Sequence, residues 1–132
     1  MGLKGSGKTK RLVDMVCAAV ALEHGDVVCI EKDKKLTYDI PYRARLIDAA
    51  EYGICSYELP KGFVSGLHAG NYDITHIFID NFLKLVGDKA MAGLDPFLDW
   101  LDAFSAQQNV EVVISLSADQ SAASERVRQY LI

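Results

Sequence analysis

The chain has little of what staples small proteins or holds them in membranes. Its three cysteines, Cys17, Cys29 and Cys55, are odd in number and widely spaced, with no Cys-x-x-Cys pair. Neither a disulfide framework nor a thiolate metal site is expected from them. His24, His68 and His76 are equally scattered, and none stands at ligand spacing from a cysteine or a carboxylate, which argues against zinc. No apolar run approaches membrane-spanning length and no charged-then-apolar leader opens the sequence, so a cytoplasmic protein without a membrane partner is expected. Basic residues do not prevail: 14 Lys and Arg face 18 Asp and Glu, for a net charge of −4. That balance gives no strong signal for nucleic acid, whose capture rests on many cations meeting phosphates. The aromatic share of 9% supplies a core but no evident stacking platform for single strands. Repeats, low-complexity runs and linkers are also missing.

What is present fits one ordinary domain spanning residues 1–132. The length allows a real core, and 50% hydrophobic with 24% charged residues excludes disordered and collagen-like readings. Cys17 falls on a helix face with Val13, Val16 and Val20, and Cys29 lies within Val27-Val28-Cys29-Ile30, so both are expected to be buried as small apolar side chains.

The most informative stretch is the first: Gly2-Leu3-Lys4-Gly5-Ser6-Gly7-Lys8-Thr9. It satisfies G-x-x-x-x-G-K-[ST] at every specified position and runs into a segment of helical period. Glycines permit torsions in which successive N–H groups converge on one anion, and the following helix adds its unpaired N–H groups and positive dipole end. Gly2, Lys4, Gly5, Ser6, Gly7, Lys8, Thr9 and Lys10 are therefore candidate polyphosphate-binding residues. The ammonium of Lys8 can reach β- and γ-phosphates, and the hydroxyl of Thr9 suits a magnesium ion that keeps most of its waters. Lys4, Lys8, Lys10 and Arg11 cluster with no acid before Asp14, which suits a small polyanion better than a duplex.

Along the chain, Leu12, Val16, Ala19 and Val20 predict a helix over 8–23, with Gly25 read as its C-terminal stop. The uninterrupted apolar run 27–30 predicts a parallel strand buried on both faces, and 34–42 reads as a loop. A short strand at 45–47, a helical turn at 48–51 and a weak helix at 63–69 interrupted by glycines follow. Residues 74–79 read Ile-Thr-His-Ile-Phe-Ile and end on Asp80, a strand delivering a carboxylate at its tip. A moderate helix is expected over 82–92. Asp95 and Pro96 predict a helix start with Asp as N-cap, followed by an apolar stripe that includes Trp100. A last strand is expected at 110–116, with Ser115 and Ser117 sharing a face near its end, and a final helix at 122–131 carries Arg126 and Arg128. Strands alternating with helices predict an α/β fold, a three-layer α/β/α sandwich with a mostly parallel sheet.

Residues 2–9 and the strand ending at Asp80 together resemble the P-loop NTPases, with the first stretch like a Walker A loop and the second like a Walker B strand. The spacing between Lys8 and Asp80, with other strands between them, resembles the RecA-like or AAA-like division. The resemblance implies ATP with Mg2+ as ligand or substrate, Thr9 and Asp80 as magnesium residues, and Lys8 and Asp80 in catalysis. It also makes Ser117 the candidate that senses the γ-phosphate. Two features depart from the family. A hydrophobic strand normally leads into the loop, whereas only Met1 stands before Gly2; either the chain's start lies upstream or the sheet lacks that strand. In the glutamate-bearing branch an acid follows the aspartate, whereas here Asn81 follows Asp80. Asn81 can orient a water but cannot accept its proton.

The expected function is a nucleoside triphosphate-binding protein whose hydrolysis is slow or needs stimulation by a protein partner or a second copy of the chain. Two alternatives stay open. One is a small-molecule phosphotransferase with an acceptor pocket near Asp33, Lys34, Lys35 and Tyr38 and a base in Asp33 or Glu58. The other is an interaction module that keeps the fold without the chemistry.

Overall fold

In a computed structural model, the chain is described at Gly2 and residues 7–22, 24–32, 39–53, 56–87, 91–119, 121 and 123–128, with only the backbone of 126 and 128. Lys4, Gly5, Ser6, Cys55, the 34–38 part of the expected loop, the expected acceptor residues Asp33, Lys34, Lys35 and Tyr38, and the side chains of Arg126 and Arg128 lie outside the described residues.

Short apolar runs become four strands, β1 (Asp26–Glu31), β2 (Arg45–Asp48), β3 (Ile74–Ile79) and β4 (Glu111–Ile114). They pair in the order β2-β1-β3-β4, every pair parallel. Parallel neighbours need a crossover, and helices supply it: α1 (Lys8–Leu22), α2 (Glu58–Gly70), α3 (Phe82–Val86) and α4 (Leu94–Gln108), with a short α5 (Glu125–Arg128) at the end. Helices on both faces explain why β1 is buried from Val27 to Glu31.

The core divides by face. On one side Leu12, Val16 and Ala19 of α1 pack on Val27, Cys29 and Phe78. On the other, Val28, Ile30, Ile77 and Ile79 meet Val64 of α2, α3 and the α4 stripe of Phe97, Leu98, Leu101 and Phe104. Phe97 is almost wholly buried and stacks on Phe82 with ring centroids 4.7 Å apart. Trp100 is half-buried and stacks on Phe104 at 5.4 Å.

Several local expectations are corrected. α2 is one helix from Glu58 through Gly62 and Gly66; burial of Pro60, Val64 and His68 outweighs the roughly 1 kcal/mol that each helical glycine costs. α3 stops at Val86, where the N–H of Gly87 bonds the Leu83 carbonyl, instead of running to 92. α4 begins at Leu94 with Gly93 as N-cap. Asp95, inside the first turn, accepts a hydrogen bond from Ser124 Oγ at 2.9 Å and ties α4 to the chain before α5. α5 itself is described only from Glu125 to Arg128. Gly25 is needed for close approach, because a Cβ there would lie 2.4 Å from Thr75 Cγ2 and 2.5 Å from the Asp73 carbonyl oxygen. Cys17 is exposed, on the solvent side of α1, whereas Cys29 is fully buried. Among the described residues no helix is long and apolar enough to cross a membrane.

Two outcomes follow from this packing. Phe97→Ala should lower unfolding free energy by about 3–5 kcal/mol in urea titrations, as the loss of a buried aromatic does; a change below about 1 kcal/mol would contradict the ring's central place. Burial, with the charges of Glu31 and Asp80 nearby, pushes the Cys29 thiol up to about 12. At pH 8 about one such thiol in ten thousand is ionised. Alkylation with peptide mapping should therefore label Cys17 in the native protein and Cys29 only after denaturation.

Candidate functional site at the carboxyl edge of the sheet

Register places the last apolar residues of the strands in one row. Ile47 pairs with Ile30, Ile30 with Ile79, and Ile79 with Ile114. One step further the row turns polar. Glu31 stands opposite Asp48, and the ladder continues past the other strands through Asp80 N–H to the Ile30 carbonyl at 2.9 Å and Ser115 N–H to the Ile79 carbonyl at 2.9 Å. Asp48, Glu31, Asp80 and Ser115 thus occupy the carboxyl edge in sequence across the sheet.

Strand alternation turns the last three toward α1. Ile30 and Ile79 face the α2 and α4 layer, while Cys29 and Phe78 face α1, so the residue after each isoleucine shares the face of Cys29. The charges of both Glu31 and Asp80 act on the Cys29 thiol, which fits that placement. Asp48 is used locally: its Oδ1 accepts the Ala50 N–H at 3.0 Å and caps the turn over Ala49–Tyr52.

α1 opens over the same edge. Its 15 residues span about 22 Å, and Leu22 is followed within four residues by Asp26, the amino end of β1; its first turn therefore lies at the carboxyl end of the strands. Gly7, just before it, has φ of +85°, which a side chain would strain, and its carbonyl accepts the Arg11 N–H at 3.1 Å. Thr9 and Lys10 are exposed and Lys8 is half-buried. Gly2 is buried beside the tail of β4, in a parallel bridge with Ser117. Its N–H bonds the Leu116 carbonyl and its carbonyl accepts the Ala118 N–H, both at 3.0 Å. Gly2, Gly7, Lys8, Thr9, Lys10, Asp80, Asn81 and Ser117 consequently belong to one edge of the sheet.

Asp80 is held from one side. Ser115, 5% exposed, donates its hydroxyl to Asp80 Oδ1 at 2.6 Å and accepts the Asn81 N–H at 2.7 Å. Asn81 is left-handed, with φ of 52°, and turns the chain from Asp80 into α3. Ser117 is exposed and next to Gly2. Glu58 opens α2 in the opposite layer and pairs with Lys61 at 3.2 Å.

The sequence reading missed two residues. Glu31, just beyond the apolar run 27–30, is 3% exposed and follows Ile30, whose register partner Ile79 precedes Asp80. Ser115, noted only for sharing a face with Ser117, is the hydroxyl that touches the carboxylate. Both immediately follow the row of isoleucines, an alignment that the strand register shows and that no single strand's sequence carries.

The donor set can be tested against magnesium by its chemistry. Among the described residues no group of three His, Cys, Asp or Glu could form a metal cage. One carboxylate oxygen of Asp80 and the hydroxyl of Thr9 fit a hard cation that brings its own waters and a phosphate, which is how magnesium is usually held. A scan against family models, a search of curated proteins and a search of solved structures each found no match to this chain.

Proposed function

We propose that this chain binds a nucleoside triphosphate, ATP with magnesium, at the carboxyl edge of its sheet and hydrolyses it slowly. One observation carries the reading. The residues matching the phosphate-loop pattern enter beside Ser117 at Gly2 and leave through Gly7 into α1 on the edge where Asp80 ends its strand. An anion seated at the start of α1 gains from the unpaired N–H groups of its first turn. Lys8 would hold the β- and γ-phosphate oxygens, and the Thr9 hydroxyl and Asp80 would hold magnesium. When bound, magnesium would neutralise charge developing between the two terminal phosphates.

Glu31 supplies what Asn81 cannot. Its carboxylate lies one strand from Asp80 on the face of α1, where it can accept the proton of a water that Asn81 helps orient. The chain's own contribution to catalysis is positioning, a proton acceptor and fixed donors at the phosphates.

Two variants test this. Lys8→Ala should abolish calorimetrically detectable binding of MgATP while circular dichroism and thermal midpoint stay unchanged; retained affinity would remove the loop from the mechanism. Glu31→Gln should bind MgATP within a few-fold of wild type but lower phosphate release by about 10²–10⁴. Equal turnover in that variant would take the proton acceptor away from Glu31.

A further inference from the structure

We propose that the cleft between α2 and α4 binds a small phenol, an aromatic ring carrying one hydroxyl, with its ring against Trp100 and its hydroxyl on the imidazole of His68. The site goes beyond the nucleotide-binding reading and does not rest on it. Gly70 ends α2 shortly before β3 begins, and Gln108 ends α4 shortly before β4 begins. The cleft runs along the last turns of both helices, so it opens at the amino end of the strands, away from Asp80.

Its volume of about 520 Å³ is that of a small-ligand site. Ala69 and Ala103 put only methyl groups where longer side chains would close it. The walls are aromatic. Trp100 stacks on Phe104 with centroids 5.4 Å apart and planes 17° from parallel, and the indole stays half-exposed. Tyr72, 78% exposed, stands edge-on to His68 at 5.4 Å. A flat ring laid on these walls gains buried area and stacking.

His68 makes the cleft more than an apolar hollow. The residue is 8% exposed and lies edge-on to Tyr72 and, with centroids 6.0 Å apart, to Phe104. Among the described residues neither of its ring nitrogens takes part in a hydrogen bond. Buried polar groups nearly always have a partner, and the cleft is the side from which one can come. Ser65, one turn earlier on α2, gives its hydrogen to the Lys61 carbonyl at 2.7 Å and so presents only lone pairs to the same cleft. Among the described residues no Lys, Arg, Asp or Glu lines it. The matching ligand is therefore neutral and brings a hydrogen to donate. A hydroxyl does this and can also accept, which answers a neutral imidazole's one acceptor and one donor nitrogen.

The test is titration of the full chain with p-cresol and with toluene, the same ring without the hydroxyl. Proton–nitrogen correlation spectra follow the indole N–H of Trp100, the sole tryptophan. The expected result is saturable movement of that peak at millimolar p-cresol, with affinity for toluene about fivefold weaker. His68→Phe should erase the difference between the two ligands, and Ala103→Leu, at an exposed position where a larger side chain fills the cleft, should abolish binding of both. No saturable movement in wild type would overturn the site. Equal affinity for p-cresol and toluene in wild type would mean that water serves His68 and would overturn the phenol assignment; that comparison needs no variant and holds even where His68→Phe does not fold. Unchanged p-cresol affinity in Ala103→Leu would place binding elsewhere on the chain and overturn the cleft as its site.

Discussion

A parallel strand covered by helices on both faces has room for apolar side chains along its length, and can expose polar chemistry only where it ends. In this chain that constraint is met at one level. The isoleucines 47, 30, 79 and 114 close the apolar interior in a single row, and the next residue of each strand is Asp48, Glu31, Asp80 or Ser115. Four strands of different length and loop context could have ended at staggered heights. Ending together concentrates three carboxylates and a hydroxyl at one edge of the sheet.

Glu31 is buried one strand from Asp80, so little water screens the repulsion between the two carboxylates. Both charges reach Cys29, whose thiol is held neutral far above its ordinary range. The fold sets opposing terms against this repulsion. The positive end of α1 opens over the same edge, and Ser115 gives Asp80 a short hydroxyl bond.

Elements with strong local signals were legible in the sequence. The uninterrupted run at 27–30, the β-branched run at 74–79 and the period of α1 each matched their structural counterparts to within one or two residues. Where tertiary packing overruled local preference, the reading failed. Gly62 and Gly66 did not break α2, because its buried stripe outweighs their propensity, and Cys17 lies outward although valines surround it in sequence. The carboxylate at position 80 could be named from its strand, since the apolar run itself marks the end. Glu31 and Ser115 could not, because their importance comes from lateral register, and strand order is not written in any single strand.

The tail of β4 links the two halves of the edge. β1 and β4 are both rich in β-branched residues, yet β1 is buried from Val27 to Glu31 whereas Val112, Val113 and Ile114 are half-exposed. β1 pairs on both sides. Along its other side, the described partner of the β4 segment is Gly2, registered two residues beyond Ser115. The Leu116 carbonyl and Ala118 N–H fix Gly2, while Ser115 fixes Asp80. Residues 115–118 therefore set both the position of Gly2 and the orientation of the Asp80 carboxylate. A shift of that short segment by one residue would exchange the faces of alternate side chains. Ser115 would turn away from Asp80 as Gly2 lost its register, so the two contacts are kept or lost together.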